Sequence, residues 1–321
     1  MEHATLTEHT RPRVVRTLAI GIALVGASLA PPAARAATPP VIGGCSVFPA
    51  DNPWNRDIST RPKHLHSDRI IRTINANGGR YLHADFGGGG EYGIPFLVVN
   101  ATQATWPIRY TAYGDESDPG PFPIPKSAPI EGGPTGDGDR HVIVVQRQTC
   151  RLFELYRAFP RASRWDADSG ATWDLRSNRL RPAGWTSADA AGLPILPGLA
   201  RCEDVAAGRI DHALRVTFSK TRRGYVSPAR HFASSITSSA YPAMGMRLRL
   251  KSSFSLSGYH GQARMVLVAL RKYGLMVADN GSNWFITGAS QSCWDDNDLN
   301  QLKRVPGSAF EVVDTGPVRT G

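Results

Sequence analysis

The chain has 321 residues, 41% of them hydrophobic and 20% charged, with a net charge of +10. That balance excludes a disordered polymer and leaves room for a sizeable buried core in one all-β domain. The surplus is mostly arginine, which points toward anionic polymers rather than nucleic acid, although an arginine-rich composition alone would give the same sign.

The first segment reads as an export leader. Arg11, Arg13 and Arg16 precede the apolar run Leu18 to Ala30, and Ala34-Arg35-Ala36 has the small-x-small pattern of a signal-peptidase site. The leader is residues 1–36, the working chain begins near Ala37 with a charge of about +8, and the expected location is secreted. The apolar run is about a dozen residues long, too short for a span that needs roughly 20. No stable membrane insertion is expected. A short tether, 37–44, and a tail, 315–321, flank a single domain, 45–314, and neither end is expected to be structured.

Within the domain Gly and Pro punctuate alternating apolar segments, the habit of a mainly β, antiparallel sandwich or jelly roll with two or three peripheral helices. His64-Leu65-His66 puts two imidazoles on one face, but no third ligand accompanies them and no metal is assigned. Ser67 starts a short helix through Ile74 that ends near Gly78. Gly87 to Gly90 lacks the Lys-Ser/Thr that would follow in a phosphate loop, so it reads as a turn. Strands are expected at Ile94 to Val99, His141 to Gln146, Cys150 to Phe159, Asp211 to Phe218, Met246 to Lys251 and Phe310 to Val313. The loop Asp115 to Gly138, with six prolines and five glycines, is too long for a tight turn.

The densest chemistry follows that loop. Asp137-Gly138-Asp139-Arg140-His141 leads into an expected hairpin, whose period-two alternation groups Cys150, Leu152, Glu154 and Tyr156 on one face. Glu154, near His141 or Val142 depending on register, is a carboxylate among apolar neighbours, an environment that raises its pKa toward that of a general acid. A second carboxylate, Asp174, sits beside Trp173 in Ala171 to Leu175. Two carboxylates flanking a sugar are what glycosidic cleavage requires. The alternative is that Glu154 pairs with an arginine and Asp174 caps a turn.

A second candidate runs from Asp211-His212 through Arg215 and Tyr225 to Arg230 and His231. It could neutralise a uronate and move a proton, as a polysaccharide lyase must; equally, His212 and Arg230 could be structural. Gln262 to Tyr273 is a helix stopped by Gly274. Asp279-Asn280-Gly281-Ser282 reads as a hairpin loop between Leu275 to Ala278 and Trp284 to Thr287. Asp295 to Asp298 lacks the glycine and glutamate of a calcium loop and reads as the start of a helix ending near Leu302. No G-x-S-x-G elbow occurs.

Cys45, Cys150, Cys202 and Cys293 contain no C-x-x-C and read as two disulfides, with three possible connectivities. The preferred one joins Cys45 with Cys150 and Cys202 with Cys293. Of the seven tryptophans, most are expected in the core and one or two in a binding groove.

Three segments stand out: Phe48-Pro49-Ala50-Asp51-Asn52-Pro53-Trp54-Asn55, Gly184-Trp185-Thr186-Ser187-Ala188-Asp189-Ala190-Ala191-Gly192-Leu193-Pro194, and Ala278-Asp279-Asn280-Gly281. Through them nearly the whole working chain resembles a group of secreted, β-rich bacterial proteins. The resemblance implies no activity, catalytic residue or cofactor.

The expected function is cleavage of an extracellular or cell-wall polysaccharide by acid/base glycoside hydrolysis. Glu154, Asp174 and His141 are the catalytic candidates, and Arg140, Tyr156, Trp173, Arg215, Arg230 and His231 would bind substrate. No cofactor is implied, and a monomer is expected. A lyase acting on an anionic glycan and a non-catalytic glycan-binding or envelope protein are the alternatives.

Overall fold

In the computed structural model residues 38–320 are described, with Met1 and His3. The expected leader otherwise lies outside the described residues. In chain order the strands are β1 (Val41–Ile42), β2 (Cys45–Ser46), β3 (His83–Asp85), β4 (Phe96–Val99), β5 (Ile108–Tyr110), β6 (Val142–Gln146), β7 (Arg151–Tyr156) and β8 (Phe159–Pro160). They continue with β9 (Trp165–Ala167), β10 (Ser169–Asp174), β11 (Leu214–Phe218), β12 (Arg247–Leu250), β13 (Leu275–Asn280), β14 (Phe285–Thr287) and β15 (Phe310–Val313). The α-helices are α1 (Ser67–Ala76), α2 (Cys202–Ala207), α3 (Gly261–Lys272) and α4 (Asp296–Asn300). The protein is thus β-rich with few helices, as the punctuated alternation predicts.

Two sheets carry the architecture, one in the order β15-β12-β13-β11-β14-β3 and the other β10-β7-β6-β4. They are mixed rather than wholly antiparallel: β11 and β13, β14 and β3, and β4 and β6 pair parallel. Long connections make this possible, since parallel neighbours need a crossover rather than a tight turn. Between β11 and β13, for example, lie β12 and α3. One consequence corrects the expected hairpin at Asp279 to Ser282. Strands β13 and β14 do not pair with each other, because β11 lies between them, parallel to one and antiparallel to the other.

The β6–β7 hairpin forms as alternation predicts, with Ile143 opposite Glu154. Ile143, Val145 and Leu152 face the main core, whereas Val142, Val144, Phe153 and Leu155 face a smaller one. The long loop closes that smaller core. Phe122 and Ile124 are buried in it beside Trp165, whose Nε1–H donates to the Ile124 carbonyl at 3.1 Å. Trp54, Trp165 and Trp284 are all fully buried.

Helix α3 buries Ala263, Val266, Leu267 and Leu270, the spacing of one helical face, against β12. Gly274 ends it at φ +70°, where a Cβ would stand 2.2 Å from the Leu248 carbonyl. Ser67 does not cap α1; its hydroxyl accepts the Val312 N–H instead. Asp295 does cap α4, accepting from Asn297 N–H and Asp298 N–H. The ends of the domain are more ordered than expected. Strand β1 pairs with β2, and Tyr225 and Arg319 exchange two backbone hydrogen bonds.

Cys45 is bonded to Cys150 and Cys202 to Cys293, across sequence separations of 105 and 91 residues. Among the described residues no helix is long and apolar enough to cross a membrane. Loops this long lose much chain entropy when bridged, so Cys202→Ala with Cys293→Ala is expected to cost about 2–5 kcal/mol. A lower urea midpoint checks this, and an unchanged midpoint would contradict it.

Candidate functional site

A cleft of about 300 Å³ opens where several elements end together. Asp139 comes from the stretch before β6, Tyr156 from the end of β7, and Asp279 and Asn280 from the end of β13; Ser187 and His231 complete the wall. Asp279 reaches the cleft because the β11–β13 register slips. Val277 pairs with Val216 but Asp279 pairs with Thr217, so Ala278 is the extra residue. Such irregularities re-aim the side chains that follow. Asn280 then braces the neighbouring loop, donating to the Ala233 carbonyl at 2.8 Å and accepting from Thr221 Oγ1 at 2.7 Å.

Charge is buried directly behind the cleft. Arg215 on β11 donates to Asp189 Oδ2 through Nε at 3.2 Å and Nη2 at 2.9 Å, and to Thr287 Oγ1 through Nη1 at 3.0 Å. Its Nη2 also lies 3.8 Å from Asp279 Oδ2. Burial raises the carboxyls of both Asp189 and Asp279, with Arg215 pulling against it. Asp279 alone of the two lines the cleft, its side chain 25% exposed. A carboxyl that is easier to protonate than usual and can meet a ligand is what a proton donor requires.

His141 forms a second buried pair. Its Nδ1 lies 2.6 Å from Glu131 Oε2 and its Nε2 2.9 Å from the Ala188 carbonyl, so both nitrogens face acceptors and the ring is an imidazolium. Burial alone would lower its pKa, but the Glu131 carboxylate more than reverses this and raises it to about 9. His231 Nδ1–H donates to the Ala190 carbonyl at 2.8 Å, and its Nε2 lies 4.0 Å from Glu116 Oε2. Burial and the charge of Asp139 raise the Tyr156 hydroxyl, which keeps it a hydrogen-bond donor.

Of the residues singled out from sequence, Tyr156 and His231 meet in this cleft, and the others do not. Glu154 is fully buried, and its carboxylate accepts the Ile195 and Leu196 N–H groups at 2.9–3.0 Å. Burial pushes it to about 7, with those two bonds opposing, yet no sugar can reach it. Asp174 cannot be its partner. Ala171 pairs with Glu154 and Asp174 with Arg151, so the two carboxylates leave opposite faces of the sheet. Asp174 instead binds Arg176 Nε at 3.0 Å, which holds its carboxyl below the usual range.

His141 and Arg215 are buried behind the cleft rather than lining it. Arg140 is also buried, donating to the carbonyls of Ala158, Pro134 and Gly136 and thereby fastening the long loop. Trp173 packs into the main core and touches a different depression, and Arg230 lies outside the cleft lining. Sequence reasoning missed Asp139, Asp189 and Asp279 as site residues. A signal existed for two of them: Asp189 and Asp279 lie inside two of the three segments that stood out in the sequence, and Asp279 is the one acid on β13.

Among the described residues no cluster of three or more His, Cys, Asp or Glu side chains could hold a metal ion. Comparison with family models, curated proteins and solved structures gives no match.

The buried pairs fix the sign of the pH response. His141 binds its second proton more tightly folded than unfolded, so its contribution is complete below pH 6.5 and is lost as pH rises through about 9. Glu154 adds a loss in the same direction from pH 4.5 to about 7. Melting temperature is expected to fall by several degrees across the upper window, and Glu131→Gln should flatten that fall. A wild-type melting temperature that stays level through pH 9 would contradict the imidazolium pair.

Proposed function

We propose that the protein is a secreted enzyme that hydrolyses an extracellular or cell-wall polysaccharide in the Asp139–Asp279 cleft. The observation that carries this reading is the pair of carboxylates lining one cavity in different settings, Asp279 partly buried over Arg215 and Asp139 exposed. Unequal environments separate an acid from a base. Asp279 would protonate the glycosidic oxygen as the carbon–oxygen bond breaks. Asp139 would attack the sugar carbon or deprotonate the water that does, and one water is consumed in either course. Tyr113 and Tyr156, both in the cleft lining, would supply ring faces for sugar packing, and Asn280 would supply a polar contact at the rim. The disulfides agree with an oxidising compartment. A monomer suffices, because every residue in this scheme comes from one chain.

Elimination is the weaker reading. The arginines it relied on are unsuited: Arg215 is committed to Asp189 and Thr287, and Arg230 is not part of the lining.

The test is incubation with neutral and uronate-containing polysaccharides, with products read by mass spectrometry. Products heavier by one water are expected from the wild type. Asp279→Asn should lower turnover by about 10²–10⁴-fold, the range of a lost general acid, with binding retained. Unsaturated products would indicate elimination. Retention on a polymer with no product would make the protein a glycan-binding module, and full activity in Asp279→Asn would remove the cleft from the chemistry.

A further inference from the structure

The strand parity that separates Asp174 from Glu154 turns it toward a second depression of about 660 Å³. The two acids there are already neutralised. Asp174 binds Arg176, and Asp118 Oδ2 accepts from Arg181 Nη1 at 2.5 Å and from the Thr172 N–H at 2.7 Å. Two lining guanidiniums have no such partner. Arg151 Nη2 donates to the Thr172 hydroxyl at 3.1 Å, and Arg179 has neither an ion pair nor a side-chain hydrogen bond among the described residues.

Beside them is a fixed aromatic wall. The buried Arg181 guanidinium lies 5.7 Å from the Trp173 ring centroid and 5.5 Å from that of Trp185. Arg181 also donates to the Thr186 and Glu116 carbonyls at 2.9 and 2.7 Å, so it cannot swing away. Trp185 is left half-buried with one supported face, next to the exposed Leu180. A sugar ring presents an apolar C–H face and a polar rim, and a charged substituent adds a site for a guanidinium fork. The wall, the Thr172 and Ser177 hydroxyls, and the two unpaired arginines match those three demands.

We propose that this depression binds an anionic saccharide unit, its charge a carboxylate or a phosphate, with Arg151 and Arg179 holding the charge and Trp185 the ring. Trp185 lines this depression while Thr186 and Ser187 line the cleft. Two residues of chain span at most about 7 Å, so the two sites share one stretch of chain. The link to a polymer rests on the hydrolytic reading above; binding in the depression does not.

Affinity electrophoresis of the Asp279→Asn protein, in gels containing polygalacturonate, poly(glycerol phosphate) or a neutral glucan, tests this without turnover. At least one anionic polymer should retard the protein more than the glucan does. Adding Arg151→Gln and Arg179→Gln should weaken that retardation at least tenfold. Adding Arg209→Gln and Arg264→Gln, which remove the same charge from a different depression, should not. Which polymer retards the protein identifies the anion as carboxylate or phosphate. The proposal is overturned if neither does, if the Arg151/Arg179 pair has no effect, or if the control pair weakens retardation equally. Retardation through Arg151 and Arg179 with no wild-type product would remove the hydrolytic reading and leave this one. Product from the neutral glucan without retardation by either anionic polymer would do the reverse.

Discussion

A guanidinium placed in the core of a β-sheet cannot be left alone, and Arg215 is placed there. It is 4% exposed, on a strand with neighbours on both sides. Removing such a charge from water costs several kcal/mol unless partners replace the lost hydration. Asp189, Thr287 and Asp279 replace it, and each comes from a different part of the chain. Satisfying Arg215 therefore fixes the 184–194 segment and the end of β13 together, and those two are walls of the cleft. The His141–Glu131 pair repeats the device from the other sheet, because His141 Nε2–H also ends on that segment, at the Ala188 carbonyl.

The buried ions thus position rather than react. Glu154 belongs with them: its carboxylate stands where the Ile195 and Leu196 N–H groups would otherwise lack acceptors, and it anchors the continuation of the same segment. Glu154, Arg215 and His141 converge on roughly a dozen residues of irregular backbone that has little secondary structure of its own. Regular ladders cannot hold such a segment, so side chains do. Asp279 differs because it touches Arg215 only at long range and still faces the cleft, which gives it a raised carboxyl without sealing it in.

Local patterns in the sequence were readable and long-range ones were not. Alternation located β6, β7, β11, β12 and β15, and Gly274 marked the end of α3. The face of Glu154 was also readable, but its depth was not, because nothing in the hairpin indicates that residues 193–198 lie across it. Asp174 is a different case. It lies three positions from Ala171, an odd spacing, so period-two geometry alone puts it on the opposite face from Ala171, the residue that pairs with Glu154. The apparent hairpin at Asp279 failed because β11, more than fifty residues earlier, takes the place between β13 and β14. Asp279 thereby changes from a turn residue to the end of a buried strand, which is why its chemistry could not be seen locally.

Hydrolysis in the cleft requires that Asp279 hold its proton more tightly than an ordinary aspartate while facing the ligand. Carbon-13 NMR titration of the aspartate side-chain carboxyls, with the resonance assigned by its loss in Asp279→Asn, measures this. Asp279 is expected to titrate above the ordinary value of 3.8, because burial outweighs Arg215. A titration at or below 3.8 would mean that Arg215 holds Asp279 as a permanent carboxylate, and the cleft would then have no acid to offer.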